Sequence, residues 1–238
     1  MKRARPVIGV TADLEHHDNG RPPRPGYALD ATTCDTLREM GAVPIILPSE
    51  LDAVDDYLDL CDGIVVSGGG YQFRVPEMFS FDGTEPPEKE RRFRFEARLL
   101  QRCIERDKAA LGVCGGFQVL NHVTGGELIV ALADARPDWA GHRGAGARET
   151  VHPVSPVAGT RFAAIVGGAP FETNSLHRQG VTRVGPRAVV AGVAPDDIVE
   201  AIEVPGRRFV LGVQWHPEFL LNDPERRLFT AFVDAARD

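Results

Sequence analysis

Four short apolar runs, alternating with helix-like segments, are the strongest constraint on how this sequence can fold. They read RPVIGV, AVPIILP, DGIVVSGGG and KAALGV, and all lie in the first half of the chain. Their apolar residues are consecutive rather than alternating, which is typical of strands covered on both faces. The segments 27–40, 51–60 and 88–106 have helical spacing. The pattern predicts an α/β fold with a mostly parallel central sheet and helices on both faces.

After residue 126 the segments become shorter and strand-like, which predicts additional β-strands in the second half. These segments are 127–132, 150–154, 161–166, 188–193, 198–204 and 208–215. A final helix is expected over 224–236, and polar loops over 15–26 and 71–87. No linker, repeat or low-complexity tract divides the chain, so residues 1–238 are expected to form a single domain.

Charge and composition exclude several classes of protein. The chain has 34 acidic and 27 basic side chains and a net charge of −7, whereas a nucleic-acid-binding protein would need a basic face. No apolar run is long enough for a signal peptide or a membrane span. The four cysteines form no CxxC pair, and no Cys/His group has the spacing of a zinc motif. We therefore expect a cytoplasmic protein without metal, cofactor, nucleic-acid partner or membrane contact.

The segment LGVCGGFQVLN, residues 111–121, predicts a reactive cysteine. Cys114 lies between a predicted strand and a predicted helix, the context of a nucleophile elbow. Gly112 and Gly116 would relieve crowding in such a sharp turn. The start of a helix favours a thiolate, and the N–H of Gly115 can face a developing oxyanion. Cys34, Cys61 and Cys103 lie in helix-like or strand-edge patterns, so we expect them to be buried apolar side chains.

A second motif, FVLGVQWHPEF, supplies a candidate base. The apolar strand ends in His216-Pro217-Glu218, and alternate residues of an extended chain point in the same direction. A histidine that deprotonates a thiol needs an acceptor to fix its tautomer, and Glu218 could be that acceptor. The pairing therefore predicts a thiol–imidazole–carboxylate site. A serine-hydrolase order is disfavoured, because there the acid normally precedes the histidine.

GVCGGFQVLN and GVQWHPE together resemble the class I glutamine amidotransferases. Within that group, NSLHRQG (174–180) is similar to a segment of the gamma-glutamyl-gamma-aminobutyrate hydrolase family. GAVPIILP, DGIVVSGGG, RFRFEARLL and IVEAIE extend the resemblance over nearly the whole chain. It implies a flavodoxin-like class I amidotransferase architecture. The activity it implies is hydrolysis of a γ-glutamyl amide through a cysteine thioester, releasing glutamate and an amine, and it also suggests a homodimer.

The resemblance also implies roles for individual residues. Cys114, His216 and Glu218 correspond to the catalytic triad. The oxyanion hole maps to Gly69, Gly70 and Gly115. The residues expected to bind substrate are Gln118, Asn174, Ser175 and His177. The sequence departs from the family pattern at Gly115, Phe93 and Arg178, which leaves the triad intact and the amine unidentified.

Two other functions remain open at this stage. The chain could be a glutaminase subunit that supplies ammonia to a separate synthase, since the same triad would serve. Activity of the purified chain on γ-glutamyl amides compared with free glutamine separates these two enzymes. A non-catalytic relative with a ligand-binding or chaperone-like role is the third possibility; an unreactive Cys114 would favour it.

Overall fold

The computed structural model describes residues 4–17, 24–69, 87–129 and 131–238. Within these ranges, eleven strands form one sheet and two strands form a separate hairpin. The strands are β1 (Val7–Thr11), β2 (Asp13–His17), β3 (Arg24–Ala28), β4 (Val43–Leu47), β5 (Gly63–Val66), β6 (Ala109–Val113), β7 (Glu127–Ile129), β8 (His152–Pro156), β9 (Phe171–Thr173), β10 (Gly180–Arg183), β11 (Val189–Val193), β12 (Val199–Glu203) and β13 (Val210–Val213).

Seven α-helices lie in the same described ranges. They are α1 (Ala31–Glu39), α2 (Val54–Leu60), α3 (Pro87–Arg106), α4 (Gly115–Thr124), α5 (Leu132–Ala135), α6 (Arg161–Val166) and α7 (Asp223–Arg237). Short 3₁₀ segments cover Leu51–Ala53, Pro137–His142 and Pro217–Phe219. Even the longest of these helices, α3, lacks the continuous apolar length that crossing a bilayer requires.

The sheet has a parallel half and an antiparallel half. Its main path runs β4-β1-β5-β6-β13-β12-β11-β8-β9, and β10 pairs with β12 and β7. The pairs from β4 to β13 are parallel, and the pairs beyond β13 are antiparallel. This arrangement confirms the predicted α/β fold with a parallel central sheet and added strands in the second half.

Helices cover both faces of the parallel half, as its continuous apolar strands require. On one face α2, α3 and α4 contribute Leu58, Leu99 and Phe117 to a buried core. On the other face α1, α6 and α7 contribute Leu37, Phe162 and Phe232. These two cores fix the carboxyl ends of β5, β6 and β13 at one edge of the sheet, where the candidate site lies.

The strand expected over 161–166 is wrong: these residues form α6. The side chain of Thr160 accepts a hydrogen bond from Ala163 N at 3.1 Å, and the Glu203 carboxylate accepts from Arg161 N and Phe162 N, each at 2.9 Å. Both acceptors satisfy amide groups that the first turn of a helix leaves unpaired. Glu203 is distant in sequence, so only the tertiary fold supplies this second cap.

Two boundaries near the N-terminus also differ from expectation. The helix expected over 27–40 begins at Ala31, because Asp30 caps it by accepting from Thr32 N at 2.8 Å. Part of the loop expected over 15–26 is the β2–β3 hairpin, and residues 18–23 lie outside the described ranges. The expected 71–87 loop lies almost entirely outside them as well. Strands β9 and β10 are too short to have been recognised from periodicity.

Candidate active site

Cys114 occupies the sharp turn between β6 and α4. Its backbone angles are φ 51° and ψ −101°, a conformation that a residue with a side chain rarely adopts. Cys114 N donates to Val213 O at 2.8 Å, and Cys114 O accepts from Gln118 N at 3.2 Å. These bonds hold the strained residue in place, and it remains partly exposed.

The two glycines around Cys114 are required by close backbone approach. A Cβ atom on Gly112 would lie 2.6 Å from Gly116 O, and one on Gly116 would lie 2.1 Å from Val66 O. Both distances are far below van der Waals contact, and the obstacles are backbone atoms that cannot move aside. The glycine spacing that indicated a tight turn therefore has a direct steric cause.

His216 and Glu218 reach this turn from the neighbouring strand. β13 pairs in parallel with β6, with Val213 opposite Val113, so both strands end at the same edge. His216 Nδ1 and Glu218 Oε1 are 2.8 Å apart. The contact is made through the 3₁₀ turn Pro217–Phe219, whereas the sequence suggested an extended chain. Glu218 thus occupies Nδ1 and leaves Nε2 as the ring nitrogen available to other groups.

The electrostatic setting of His216 favours its protonated form. Its side chain is only 17% exposed. Burial alone would lower the pKa of His216, but the Glu218 carboxylate and a hydrogen-bonded Cys114 raise the pKa well above its usual value. A Cβ on Gly68 would lie 2.8 Å from His216 Cε1 and 3.4 Å from Cys114 Cβ, so Gly68 lies against both side chains. The site can therefore hold an imidazolium beside a thiol.

The other cysteines are placed differently. Cys61 and Cys103 are buried, and burial raises the pKa of Cys103 to about 12. Burial also raises the pKa of Cys34, and Asp35 adds to that effect. Cys114, in contrast, lies beside His216 and is hydrogen-bonded to it.

Arg92 shapes the glycine turn after β5, a role that no sequence pattern indicated. Its guanidinium is fully buried; Nη2 donates to Ser67 O at 3.1 Å and to Gly68 O at 2.9 Å. Nε donates to Glu96 Oε1 at 2.8 Å, and Nη1 lies 2.9 Å from Asp13 Oδ1. Because C=O and N–H of a trans peptide point in opposite directions, the N–H of Gly69 points away from Arg92. Gly70 lies outside the described residues.

Gln214 is a second residue that sequence reasoning missed. It is fully buried, its Nε2 donates to Cys114 Sγ at 3.7 Å, and its Oε1 accepts from Gln118 Nε2 at 3.0 Å. Gln118 Nε2 also lies 3.5 Å from Gln179 O. A polar residue at the end of the apolar strand VLGV was the available signal. Its amide ties the predicted substrate residue Gln118 to the thiol.

The segment predicted to bind substrate, 174–177, is buried. Asn174 clamps the backbone of His216: Oδ1 accepts from His216 N at 2.8 Å, and Nδ2 donates to His216 O at 2.9 Å. Ser175 Oγ donates to His142 O, and His177 Nδ1 lies 2.7 Å from Gln179 O. Direct contact of Asn174, Ser175 and His177 with a substrate stays a prediction.

A parallel sheet with a cysteine turn at one strand end and a His–Glu pair at the next defines a class I glutamine amidotransferase fold. A protein from Thermoplasma acidophilum, described as a candidate GMP synthase subunit, has this fold, with a TM-score of 0.65, 16% identity and coverage of 98% of this chain and 96% of that one. The present chain belongs to the Peptidase C26 family, whose model matches residues 6–218.

Two similar proteins support the assignment to this family. A Mycobacterium tuberculosis protein, Rv2859c, named as a candidate glutamine amidotransferase, is 36% identical over 98% of this chain and 75% of its own length. The gamma-glutamyl-gamma-aminobutyrate hydrolase PuuD of Escherichia coli is 31% identical over 98% of this chain and 94% of its own length. The recognised resemblance is thereby confirmed, and it supports a cysteine-type amide hydrolase or glutamine amidotransferase.

Proposed function

We propose that this protein hydrolyses the amide bond of a γ-glutamyl amine through a thioester on Cys114. The observation that carries the proposal is the strained Cys114 beside a histidine whose Nδ1 is 2.8 Å from a carboxylate oxygen. Strain of this kind costs about 1–3 kcal/mol and persists where the surrounding structure enforces it, often at active sites. The names of PuuD and its relatives support γ-glutamyl amides as the substrate class.

The proposed reaction has two stages. The Cys114 thiolate attacks the γ-carbonyl carbon, and the C–N bond then breaks as His216 passes its proton to the departing amine. Water next attacks the thioester while His216 accepts a proton from it. The C–S bond breaks, glutamate leaves and the thiol is restored. Glu218 orients the imidazole and stabilises its cationic form throughout.

The negative charge on the carbonyl oxygen needs donors in both stages. The N–H of Gly115, at the start of α4, is one proposed donor. The N–H of Gly69 is the second, since Arg92 binds the preceding carbonyl and turns this amide away from itself. Gly70 stays a predicted donor on the same turn.

A glutaminase subunit is the second candidate, favoured by the name of the Mycobacterium tuberculosis relative. The same thiol site would release ammonia from glutamine and pass it to a synthase. The two proposals share every chemical step and differ in the leaving group and in dependence on a partner protein.

The test compares kcat/KM of the purified chain on matched substrates. One set varies the amine on a γ-glutamyl group and includes free glutamine; the other replaces γ-glutamyl by β-aspartyl or blocks the α-amine. We expect selective cleavage of γ-glutamyl amides and a burst of amine before steady state. The variant Cys114→Ser serves as the matched control, because it keeps size and shape and removes the thiol.

Three outcomes would change the assignment. Equal cleavage of β-aspartyl and γ-glutamyl amides contradicts a glutamyl-specific pocket. A large preference for free glutamine replaces the hydrolase proposal by the glutaminase proposal. Full activity in Cys114→Ser excludes the thioester.

A further inference from the structure

Four titratable side chains that the proposed reaction does not use converge on one buried point. They are His142, His152, His177 and Glu200, which we call the His–Glu cluster. His142 ends the 3₁₀ segment Pro137–His142, His152 opens β8, His177 follows β9, and Glu200 lies on β12. One nitrogen from each ring and a carboxylate oxygen all lie within 4.8 Å of one another.

The atoms that face this point have no hydrogen-bond partners. They are His142 Nδ1, His152 Nε2, His177 Nε2 and both carboxylate oxygens of Glu200. Glu200 is fully buried, and His142 and His177 are 3% and 4% exposed. A buried polar atom without a partner costs about 1–3 kcal/mol, and more if charged. Five such atoms around one point indicate that a ligand belongs there.

The outer nitrogen of each ring is already engaged. His142 Nε2 lies 2.9 Å from Asp196 Oδ2, and His177 Nδ1 lies 2.7 Å from Gln179 O. His152 Nδ1 lies 3.2 Å from Pro153 O. Because each oxygen partner is a hydrogen-bond acceptor, each outer nitrogen carries the hydrogen. In the neutral ring the inner nitrogen therefore has no hydrogen and offers a lone pair. Such outer hydrogen bonds are typical of metal-binding histidines.

Three inward lone pairs beside a carboxylate repel one another, so the cluster needs positive charge at its centre, supplied by a metal ion or by protons on the rings. A single metal ion would neutralise the carboxylate and engage all three lone pairs at once.

Two of the three Glu–His distances fall in the range of a tetrahedral metal site, and binding would draw the remaining donor atoms, which span up to 4.8 Å, closer together. Glu200 Oε1 lies 3.3 Å from His142 Nδ1, 3.4 Å from His177 Nε2 and 3.8 Å from His152 Nε2. Zinc binds nitrogen and oxygen at about 2.0–2.2 Å, which places tetrahedral ligands about 3.3–3.6 Å apart. Imidazole and carboxylate ligands in this geometry favour Zn²⁺ over Cu²⁺ and Ni²⁺, which prefer square-planar arrangements.

We propose that His142 Nδ1, His152 Nε2, His177 Nε2 and the carboxylate of Glu200 bind one zinc ion. Four protein ligands close the tetrahedron, so the site is structural. The ion joins β12 to β8, to the segment that precedes β8 and to the segment that follows β9. It also fixes His177 three residues after Asn174, whose side chain clamps the backbone of His216. In this assignment His177 binds metal instead of substrate.

The first test measures the metal in the wild-type protein. Elemental analysis after gel filtration is expected to give one zinc per chain. Protein stripped by a chelator and titrated with Co²⁺ should show the intense visible bands of four-coordinate cobalt, without a thiolate charge-transfer band. Less than stoichiometric binding of added Zn²⁺, or a Co²⁺ spectrum typical of six oxygen ligands, would overturn the proposal.

The second test uses variants in pairs. His152→Gln and His177→Gln should each lose stoichiometric Zn²⁺, while His122→Gln, a histidine outside the cluster, should keep it. A second pair of variants leaves the four ligands in place, so that loss of zinc cannot be due to misfolding. Asp196→Asn, which weakens the bond to His142 Nε2, should reduce zinc affinity about 10- to 100-fold. Asp197→Asn, its sequence neighbour, should leave affinity unchanged. Equal zinc affinity in all of these folded variants would rule the site out.

Discussion

The thiol site, formed by Cys114, His216 and Glu218, lies next to the His–Glu cluster, because β13, the strand that precedes His216, pairs with β12, which carries Glu200. Gln214 links them: its N–H donates to Glu200 O at 2.8 Å, and its side chain reaches Cys114 Sγ. The thiol site lies where parallel strands end, and its shape depends on a strained backbone at Cys114 and on close backbone approach at two glycines. The cluster lies in the antiparallel half, where the buried Glu200 carboxylate interacts with three histidine rings.

This difference shows two ways of building a buried polar site within one sheet. The thiol site depends on the chain path through Gly112, Cys114 and Gly116, so a change of side-chain chemistry there should cost activity more than stability. The His–Glu cluster depends on balanced charge among distant residues, so a change there should cost stability first. Substitutions in each site test this contrast.

The largest effect is expected for Cys114→Ala. No other group can form the thioester, so we expect kcat/KM on a γ-glutamyl amide to fall by roughly 10⁶-fold. The free energy of unfolding should stay within about 0.5 kcal/mol of wild type, since alanine keeps the Cβ and loses few contacts. Cys103→Ala is the control for thiol chemistry, and alkylation at neutral pH, mapped by mass spectrometry, should label Cys114 first. Preferential labelling of Cys103 would contradict the site.

Glu218→Gln should be milder and should move the pH profile. We expect a loss of roughly 10²- to 10⁴-fold in kcat/KM, because the amide still accepts from the imidazole but stabilises its cation less. Glu218 helps to raise the pKa of His216. Its removal should therefore lower that pKa and shift the alkaline limb of the kcat/KM profile to lower pH. An unmoved alkaline limb would show that His216 is not the titrating group.

Glu200→Gln should lower the free energy of unfolding. Removing one partner from a buried charge cluster typically costs about 3–5 kcal/mol, and urea unfolding should detect this. Glu172→Gln, on the exposed position of β9, is the matched control and should be nearly neutral. If the two variants are equally stable, the His–Glu cluster does not stabilise the fold, and the proposed contrast with the thiol site is wrong.

The smallest effect at any single pH step is expected from a comparison of two fully buried glutamates, Glu225 and Glu200. Burial raises the pKa of Glu225 to about 8, whereas the histidines lower that of Glu200 to about 2, both from an ordinary value of 4.5. Native Glu225 thus holds a proton that the unfolded chain lacks between pH 4.5 and 8. Its contribution to stability is present below pH 4.5 and falls with rising pH by about 1.36 kcal/mol per pH unit.

Glu225→Gln should remove that slope, as measured by urea unfolding at a series of pH values. Glu200 has the opposite sign: its contribution is present above pH 4.5 and is lost as the pH falls toward 2. Identical slopes for wild type and Glu225→Gln would mean that Glu225 is ionised in the native protein.

Much of the fold could be predicted because local pattern and tertiary environment agree in the first half. Continuous apolar runs became β1, β4, β5 and β6, and helical spacing became α3 and α4. The prediction failed at 161–166, where Glu203 caps a helix from another strand, and at the short strands β9 and β10. Arg92 and Gln214 were missed because their roles depend on partners distant in sequence.

The sequence by itself determined the thiol turn and its imidazole–carboxylate pair, since the spacing of Gly112, Cys114 and Gly116 and the WHPE run are contiguous and their geometry is local. Only the tertiary structure decided the His–Glu cluster. Its members lie 10, 25 and 23 positions apart along the chain, at 142, 152, 177 and 200, and no zinc motif has that spacing. The tertiary arrangement of the second half brings them together: β11 separates β8 from β12 in the sheet, and His142 and His177 reach the cluster from segments outside the strands.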